Sequence, residues 1–317
     1  MLRQLHNKLD RTNIHSVQAN FTAIIKEHIE LFHREIGETL QQICPAPETL
    51  TEEEARLLIE HNKEVIDRAF EGTTLALALV NVHQRFIWAA GVGDSTVALS
   101  TIGPDGKRRA ERLCDLHTFK NPKEYYRAVM AHSSYERPIV DSQDPIGDFA
   151  LKLRSTYLTN LFRFIPCGHA FGLSRHASKI VTPPYIIAEP SVRFVDLEPV
   201  WSESSTLLVF TYGVDNLVDS YFVFTPEKHS GADPVNIVSS LLSGEVDHEA
   251  ERALGHPIDP HWCGAENSRA VNILGNLLGG TDVERLEMVT DEERLRDIGA
   301  DWQFHIDDTS IIVWGLT

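Results

Sequence analysis

A change of hydrophobic pattern near residue 72 constrains this fold more than any other feature of the sequence. Before it, apolar side chains recur every three or four residues over 16–43 and 55–70, the period of amphipathic helices. After it, nearly continuous apolar runs cover 74–82, 86–92 and 96–99, separated by turn-forming residues. Such runs are typical of strands that are buried on both faces. We therefore predict a helical part over 1–71, followed by antiparallel strands.

The helix ends are marked by local signals. Pro45 and Pro47 stop the first helix, Thr51 and Glu54 form a capping-box pattern at the start of the second, and Gly72 ends it. The region 104–170 mixes charges, prolines and aromatics and is expected to be irregular with short helices. Later strands are predicted at 191–197, 206–211 and 310–315, with helices at 234–242 and 267–278. This order predicts an α+β fold with helices layered on antiparallel sheets, in a single domain over 1–317.

Composition and charge exclude several classes of protein. The formal net charge of −17 disfavours nucleic acid and anionic membrane surfaces as partners. No apolar run reaches the roughly 18 residues of a membrane span. Four cysteines stand far apart, which supports neither a zinc ribbon nor a disulfide framework, and no signal peptide is visible at the first residues. An intracellular protein is expected, with the choice between cytoplasm and mitochondrion left open.

Several short segments occur in one order along the chain. They are Glu71–Thr74, Ala89–Ser95, Ile146–Phe149, Pro183–Tyr185, Ala188–Pro190, Leu208–Gly213 and Asp307–Val313. The series resembles the metal-dependent protein phosphatase 2C family, most strongly over 55–317. The segments Pro183–Tyr185 and Ala188–Pro190, with the helix at 267–280, are most similar to the pyruvate-dehydrogenase-phosphatase branch. The resemblance implies a four-layer αββα sandwich that is incomplete at its N-terminus.

The resemblance also implies a chemistry that this sequence only partly supports. Members of the family hydrolyse phosphoserine or phosphothreonine with two Mg²⁺ or Mn²⁺ ions, which need a cluster of carboxylates. Asp307 matches the terminal metal ligand of the family. Tyr212 stands where a metal-binding Asp is expected, and the early D-G-H-G-G segment is absent. Metal binding by this chain is therefore doubtful, and no catalytic residue is assigned.

The sequence contains other acidic residues and potential metal ligands besides Asp307. Asp215 and Asp219 follow Tyr212 closely but are expected on the wrong face of the turn. Asp94 is expected to brace a hairpin turn rather than act in catalysis, Asp105-Gly106 reads as a plain turn, and Asp144 takes the place of a family arginine. A compact set of potential zinc ligands is expected to form a solvated loop rather than a metal site; it comprises His248, His256, Asp259, His261 and Cys263.

Two functions remain open on this reading. The first is a pseudophosphatase, a divergent domain that binds a phosphoprotein or a regulatory protein with little or no catalysis. The alternative is an active Mg²⁺- or Mn²⁺-dependent serine/threonine phosphatase whose N-terminal segment is missing from this sequence. A missing segment would leave a sheet edge unpaired around residues 74–99, and such an edge invites association.

Overall fold

The computed structural model describes residues 14–118, 121–136, 149–166, 177–219, 229–264, 268–293 and 306–317. Its helices and strands follow one another as α1 (Ile14–Ile43), α2 (Glu52–His61), α3 (Lys63–Glu71), β1 (Leu75–Asn81), β2 (Phe86–Val92), β3 (Thr96–Ile102), β4 (Arg108–Arg112), α4 (Pro122–Ala131), α5 (Ser155–Asn160), β5 (Ser191–Asp196), β6 (Thr206–Phe210), α6 (Tyr212–Asp219), α7 (Pro234–Ser240), α8 (His248–Leu254), α9 (Arg269–Leu278), α10 (Val283–Thr290) and β7 (Ile311–Gly315). Among these described helices, none is both long enough and apolar enough to cross a membrane.

The predicted start and end signals of the helical segment before residue 72 are observed, but that segment is not one helix. Thr51 Oγ1 accepts a hydrogen bond from the Glu54 amide at 3.3 Å, and Glu54 Oε2 accepts one from the Thr51 amide at 2.8 Å. This reciprocal pair is the predicted capping box. Gly72 ends α3 with a φ of 68°, a value that side chains disfavour. The predicted second helix is broken into α2 and α3, because Asn62 leaves helical geometry with a φ of −126°.

The chain divides into two compact units, one formed by Met1–Leu75 with Leu116–Pro190 and one by Ala76–Asp115 with Ser191–Thr317. Helices dominate the first unit, and α1 to α5 enclose its hydrophobic core. A buried carboxylate, Glu136, fixes one side of this core by accepting hydrogen bonds from Tyr185 Oη, Thr182 Oγ1 and the Ser133 amide. The segment Pro183–Tyr185, one of those on which the resemblance rests, therefore has a structural role through Tyr185. The prediction of a single domain over 1–317 stays a prediction.

Two antiparallel sheets form the centre of the second unit. Sheet A has the strand order β1-β2-β5, and sheet B has the order β4-β3-β6-β7. A hydrophobic core that includes Ile87, Val97 and Leu207 joins strands of both sheets. A separate core packs α6 to α10 against sheet B. The α+β prediction is confirmed, with two antiparallel sheets and helices.

Two predictions about local structure are wrong. The segment Gly91–Ser95 is not a hairpin turn, because β2 pairs with β5 in sheet A whereas β3 pairs with β4 and β6 in sheet B. It is a connection between the sheets, and Gly93 takes a φ of 89° there. The region after residue 104 contains a strand, β4, which follows the predicted turn at Asp105-Gly106. The sequence hides β4 because its five residues are mostly charged.

Candidate functional site

The pairing of sheet B brings distant segments of the chain to one end of the sheet. Thr96 at the start of β3 lies opposite Phe210 at the end of β6, and Phe210 lies opposite Ile311 at the start of β7. Arg112 at the end of β4 lies opposite Ala98. The residues just before β3, just after β6 and just before β7 therefore share this end with Arg112. They include Asp94, Tyr212 and Asp307, which are three positions that the resemblance singles out.

The loop that carries Asp307 is fixed to the residues after β6. Thr211 Oγ1 donates to the Asp308 carbonyl at 2.8 Å and accepts from the Ser310 amide at 2.9 Å. Gly213 allows the loop to approach α6 closely, since a Cβ at Gly213 would lie 2.7 Å from the Asp308 carbonyl oxygen. A side chain would have to displace that backbone. Thr211 and Gly213, which belong to one of the segments on which the resemblance rests, are thus needed to hold this loop in place, whatever they bind.

Asp215 lies one helical turn after Tyr212, and its position corrects the prediction made for it. Its Oδ1 is 3.9 Å from Nη2 of Arg112, and its side chain is only 12% exposed. The charge of Asp94 also acts on this carboxylate. The expectation that Asp215 faces away from the site is wrong, because α6 begins directly after β6 and turns the residue back toward sheet B. Asp219, at the end of α6, instead accepts a hydrogen bond of 2.6 Å from Nδ1 of His229.

Arg112 is the cation among these carboxylates. Its Nη2 lies 3.6 Å from Oδ1 of Asp233 as well as 3.9 Å from Oδ1 of Asp215, and its Nη1 donates to Thr96 Oγ1. Asp233 also caps α7, accepting a hydrogen bond from the Val235 amide at 3.0 Å. One guanidinium is therefore shared by two aspartates on two helices and by a strand residue.

Burial and mutual repulsion raise the pKa values of two aspartates at this end of sheet B, Asp94 and Asp215. Burial raises the pKa of Asp215 to about 7, with Arg112 opposing the shift and the charges of Asp94 and Asp233 adding to it. Burial also raises the pKa of Asp94, and the nearby charge of Asp307 raises it further. Oδ2 of Asp215 is buried and has no hydrogen-bond partner. These carboxylates are thus held close enough to repel one another.

The described residues do not fit the pair of divalent cations that the resemblance implies. Across the described ranges, no three or more His, Cys, Asp or Glu side chains are grouped so that they could hold a metal ion. Tyr212, a neutral phenol and a poor ligand for Mg²⁺, begins α6 at the position of a family aspartate. Oδ1 of Asp307 accepts a hydrogen bond from the Asp308 amide at 2.8 Å. The assignment of Asp307 as a metal ligand stays a prediction.

The second set of potential ligands, at 248–263, is spread over separate local contacts. His248 Nδ1 lies 2.7 Å from Glu251 Oε2, and His256 is buried with Nδ1 3.1 Å from the Pro257 carbonyl. Asp259 accepts from the His261 amide at 2.8 Å and donates its own amide to Asn276 at 2.8 Å. The loop is therefore organised by its own backbone and by Asn276, a buried residue of α9.

Sequence reasoning missed Arg112 and Asp233. Arg112 belongs to a strand that was not predicted, and an arginine among several charged residues carries no sign of burial in the sequence. Asp233 precedes a proline at the start of a predicted helix, a pattern that indicates only an N-cap. Asp144 and the segment 146–148 lie outside the described residues.

Comparisons with known proteins give only distant similarities. No protein-family model matches the chain, and no curated protein matches it. A solved structure of a sex-determining protein of C. elegans is similar with a TM-score of 0.33 and 14% identity, covering 89% of this chain and 51% of that one. A serine-threonine phosphatase 2C of Toxoplasma gondii is similar with a TM-score of 0.37 and 12% identity, covering 82% of this chain and 63% of that one. The chain thus spans about half to under two thirds of these proteins, and both TM-scores are low.

Proposed function

We propose that this chain is a divergent phosphatase-2C-like domain that binds a phosphoprotein or a regulatory protein and hydrolyses phosphate esters poorly or not at all. The proposal starts from the order of the matching segments. Three of them, around Asp94, Tyr212 and Asp307, meet at one end of sheet B. The pairing of β3, β6 and β7 thus brings together three of the segments on which the resemblance rests, although Asp94 and Asp307 are more than 200 residues apart in sequence.

The cation at this end is the observation that carries the proposal. A metal-dependent phosphatase uses carboxylates to hold divalent ions, and those ions activate water. Here Arg112 lies between Asp215 and Asp233, and Tyr212 takes the place of a family aspartate. A guanidinium neutralises carboxylates but cannot supply a metal-bound hydroxide. The arrangement therefore supports a folded scaffold with weak or absent hydrolysis.

Hydrolysis of a phosphothreonine peptide in excess Mn²⁺ tests the proposal. We expect the wild-type chain to release phosphate no faster than the Asp307→Ala variant, because the described carboxylates are not arranged to hold the ions. A known phosphatase 2C serves as the positive control for peptide and buffer. Turnover by the wild type far above that of Asp307→Ala would overturn the proposal. Binding of the phosphorylated peptide, compared with its unphosphorylated form, separately tests phosphoprotein recognition.

The second candidate is an active serine/threonine phosphatase whose full product has a further N-terminal segment with more carboxylates. The retained aspartates Asp94 and Asp307, with Asp215 close by, favour it. The test is to read the coding sequence upstream of Met1 for an in-frame D-G-H-G-like run and to express the extended chain. On this candidate, Tyr212→Asp raises the Mn²⁺-dependent activity of the extended chain. A mitochondrial partner, suggested by the pyruvate-dehydrogenase-phosphatase branch, belongs to the same candidate.

A further inference from the structure

We infer that Arg112 is a built-in counter-cation for the aspartates at this end of sheet B, so that the end folds without a divalent ion. The inference goes beyond the proposed function because it concerns what holds the carboxylates together, whether or not the chain hydrolyses phosphate. It follows from the mismatch between the implied metal pair and the residues that are present.

The position of Arg112 is fixed by the sheet. It ends β4, its backbone pairs with Ala98 of β3, and its Nη1 donates to Thr96 Oγ1 on that neighbouring strand. Its side chain is only 22% exposed. The planar guanidinium is pre-organised, so less side-chain freedom is lost for each contact that it makes.

The two carboxylate partners of Arg112 lie on α6 and at the start of α7. Asp215 belongs to α6, and Asp233 caps α7; their Oδ1 atoms lie 3.9 Å and 3.6 Å from the same Nη2. Beyond them, Asp94 acts electrostatically on Asp215, and Asp307 acts on Asp94. Removing the single cation would leave this set of like charges to repel one another, most strongly where the dielectric constant is low.

A divalent cation and Arg112 compete for the same negative charge. A divalent ion beside Asp215 would be repelled by the positive charge of Arg112. It would also have to share the carboxylate oxygens of Asp215 with that guanidinium. In the described part of the chain, no alternative cluster of ligands gives the ion enough oxygens to offset that repulsion. The arginine thus both stabilises the carboxylates and disfavours their use as metal ligands.

The test measures thermal unfolding and Mn²⁺ binding of the full chain at about pH 8, where Asp215 is mostly ionised. Unfolding is followed by circular dichroism in EDTA and in millimolar MnCl₂, and binding by electron paramagnetic resonance of Mn²⁺. We expect the Tm of the wild type to be the same in both solutions. Arg112→Met should lower the Tm in EDTA by about 2–4 °C or more, and Mn²⁺ should restore part of that loss.

Two further variants make the result specific. Arg109→Met removes an exposed arginine of the same strand that pairs with Asp105 at 2.6 Å, and it should leave the Tm and its insensitivity to Mn²⁺ nearly unchanged. Arg112→Lys keeps the charge and should also stay insensitive to Mn²⁺. If Arg112→Met does not fold in either solution, the wild type and Arg112→Lys decide the question.

Three results would overturn the inference. The first is that the wild type binds Mn²⁺, or that its Tm rises by several degrees in Mn²⁺, and that the Asp307→Asn variant shows no such effect. The second is an Arg112→Met variant as stable and as insensitive to Mn²⁺ as Arg109→Met. The third is an Arg112→Lys variant that needs Mn²⁺ to fold. None of these depends on phosphatase activity, so the failure of this inference and that of the proposed function are distinguishable.

Discussion

At the scale of single residues, Asp215 couples the stability of this end of sheet B to pH. Burial raises its pKa to about 7 in the folded chain, against an ordinary value near 3.8. The folded state therefore binds a proton more tightly than the unfolded state does. The stabilisation that this proton gives is complete below about pH 4 and is lost as the pH rises toward and past 7. Arg112 opposes the shift, and Asp94 and Asp233 are the other charged groups that act on Asp215.

Asp215→Asn measures this contribution directly. The amide does not titrate, so the difference in unfolding free energy between wild type and variant isolates the carboxyl group. We expect the wild type to lose stability relative to the variant between about pH 4 and pH 8, by an amount on the order of a few kcal/mol. Urea unfolding across that range gives the difference. A difference that stays constant, or that grows in favour of the wild type as pH rises, would show that Arg112 rather than burial governs this carboxyl.

Residues of this end differ in how far the sequence could identify them. Asp94 and Asp307 stand in recognisable segments, so their neighbourhood could be proposed without coordinates. Arg112 could not, because its importance comes from the register of β4 against β3 and from two helices that begin far along the chain. The position of Asp215 could not be predicted, since no local signal indicates that a helix starts immediately after β6.

At the scale of elements, the capping box of α2 is the most local stabilising device in the first unit. Thr51 Oγ1 and Glu54 exchange hydrogen bonds that satisfy two amides at the helix start. We expect Thr51→Ala to lower the unfolding free energy by about 1 kcal/mol. Thr39→Ala is the matched control: Thr39 is an exposed residue of α1 whose hydroxyl donates to the Glu35 carbonyl one turn before it, so alanine there should be neutral or slightly stabilising. Equal effects at both positions would contradict a specific capping role.

Elements with strong periodicity could be predicted, and elements defined by tertiary context could not. The helix at 16–43 and the strands at 86–92 and 206–210 carry long apolar patterns, and the structure places them within a few residues of the predicted limits. The charged strand β4 and the short helix α6 carry no such pattern. They form because β3 pairs with Arg108–Arg112 and because the core below sheet B accepts the apolar face of α6.

At the scale of the whole molecule, local signals do not determine which strands pair. Only residues 93–95 separate β2 from β3, yet the two strands belong to different sheets. Thr96 instead pairs across more than a hundred residues with Phe210. No local pattern in the sequence indicates that register, and only the resemblance indicates two packed sheets. The fold class was therefore within reach of the sequence, while the ends of the strands that meet at the candidate site were not.

The edge of sheet A favours self-association of the chain, whereas its net charge opposes self-association. β1 is an edge strand with no charged residue; Ala76, Ala78 and Val80 pack into the core between the sheets. Its outer edge has no strand partner in the described part of the chain, and such an edge favours pairing with another strand. The net charge of −17 opposes association of two copies, an effect that salt screens over about 8–10 Å at physiological ionic strength.

We therefore expect self-association that increases with both protein and salt concentration. Light scattering after size exclusion, at two protein concentrations in low and high salt, measures it. Leu77→Lys places a charge on the edge strand and should weaken association, whereas Leu57→Lys, at an exposed position of α2, should not. Thermal unfolding checks that both variants remain folded. A cooperatively unfolding monomer under all four conditions would contradict the prediction. It would show that the edge of β1 is already protected within one chain, as a finished binding domain requires, and would favour the pseudophosphatase over a chain that lacks part of its sheet.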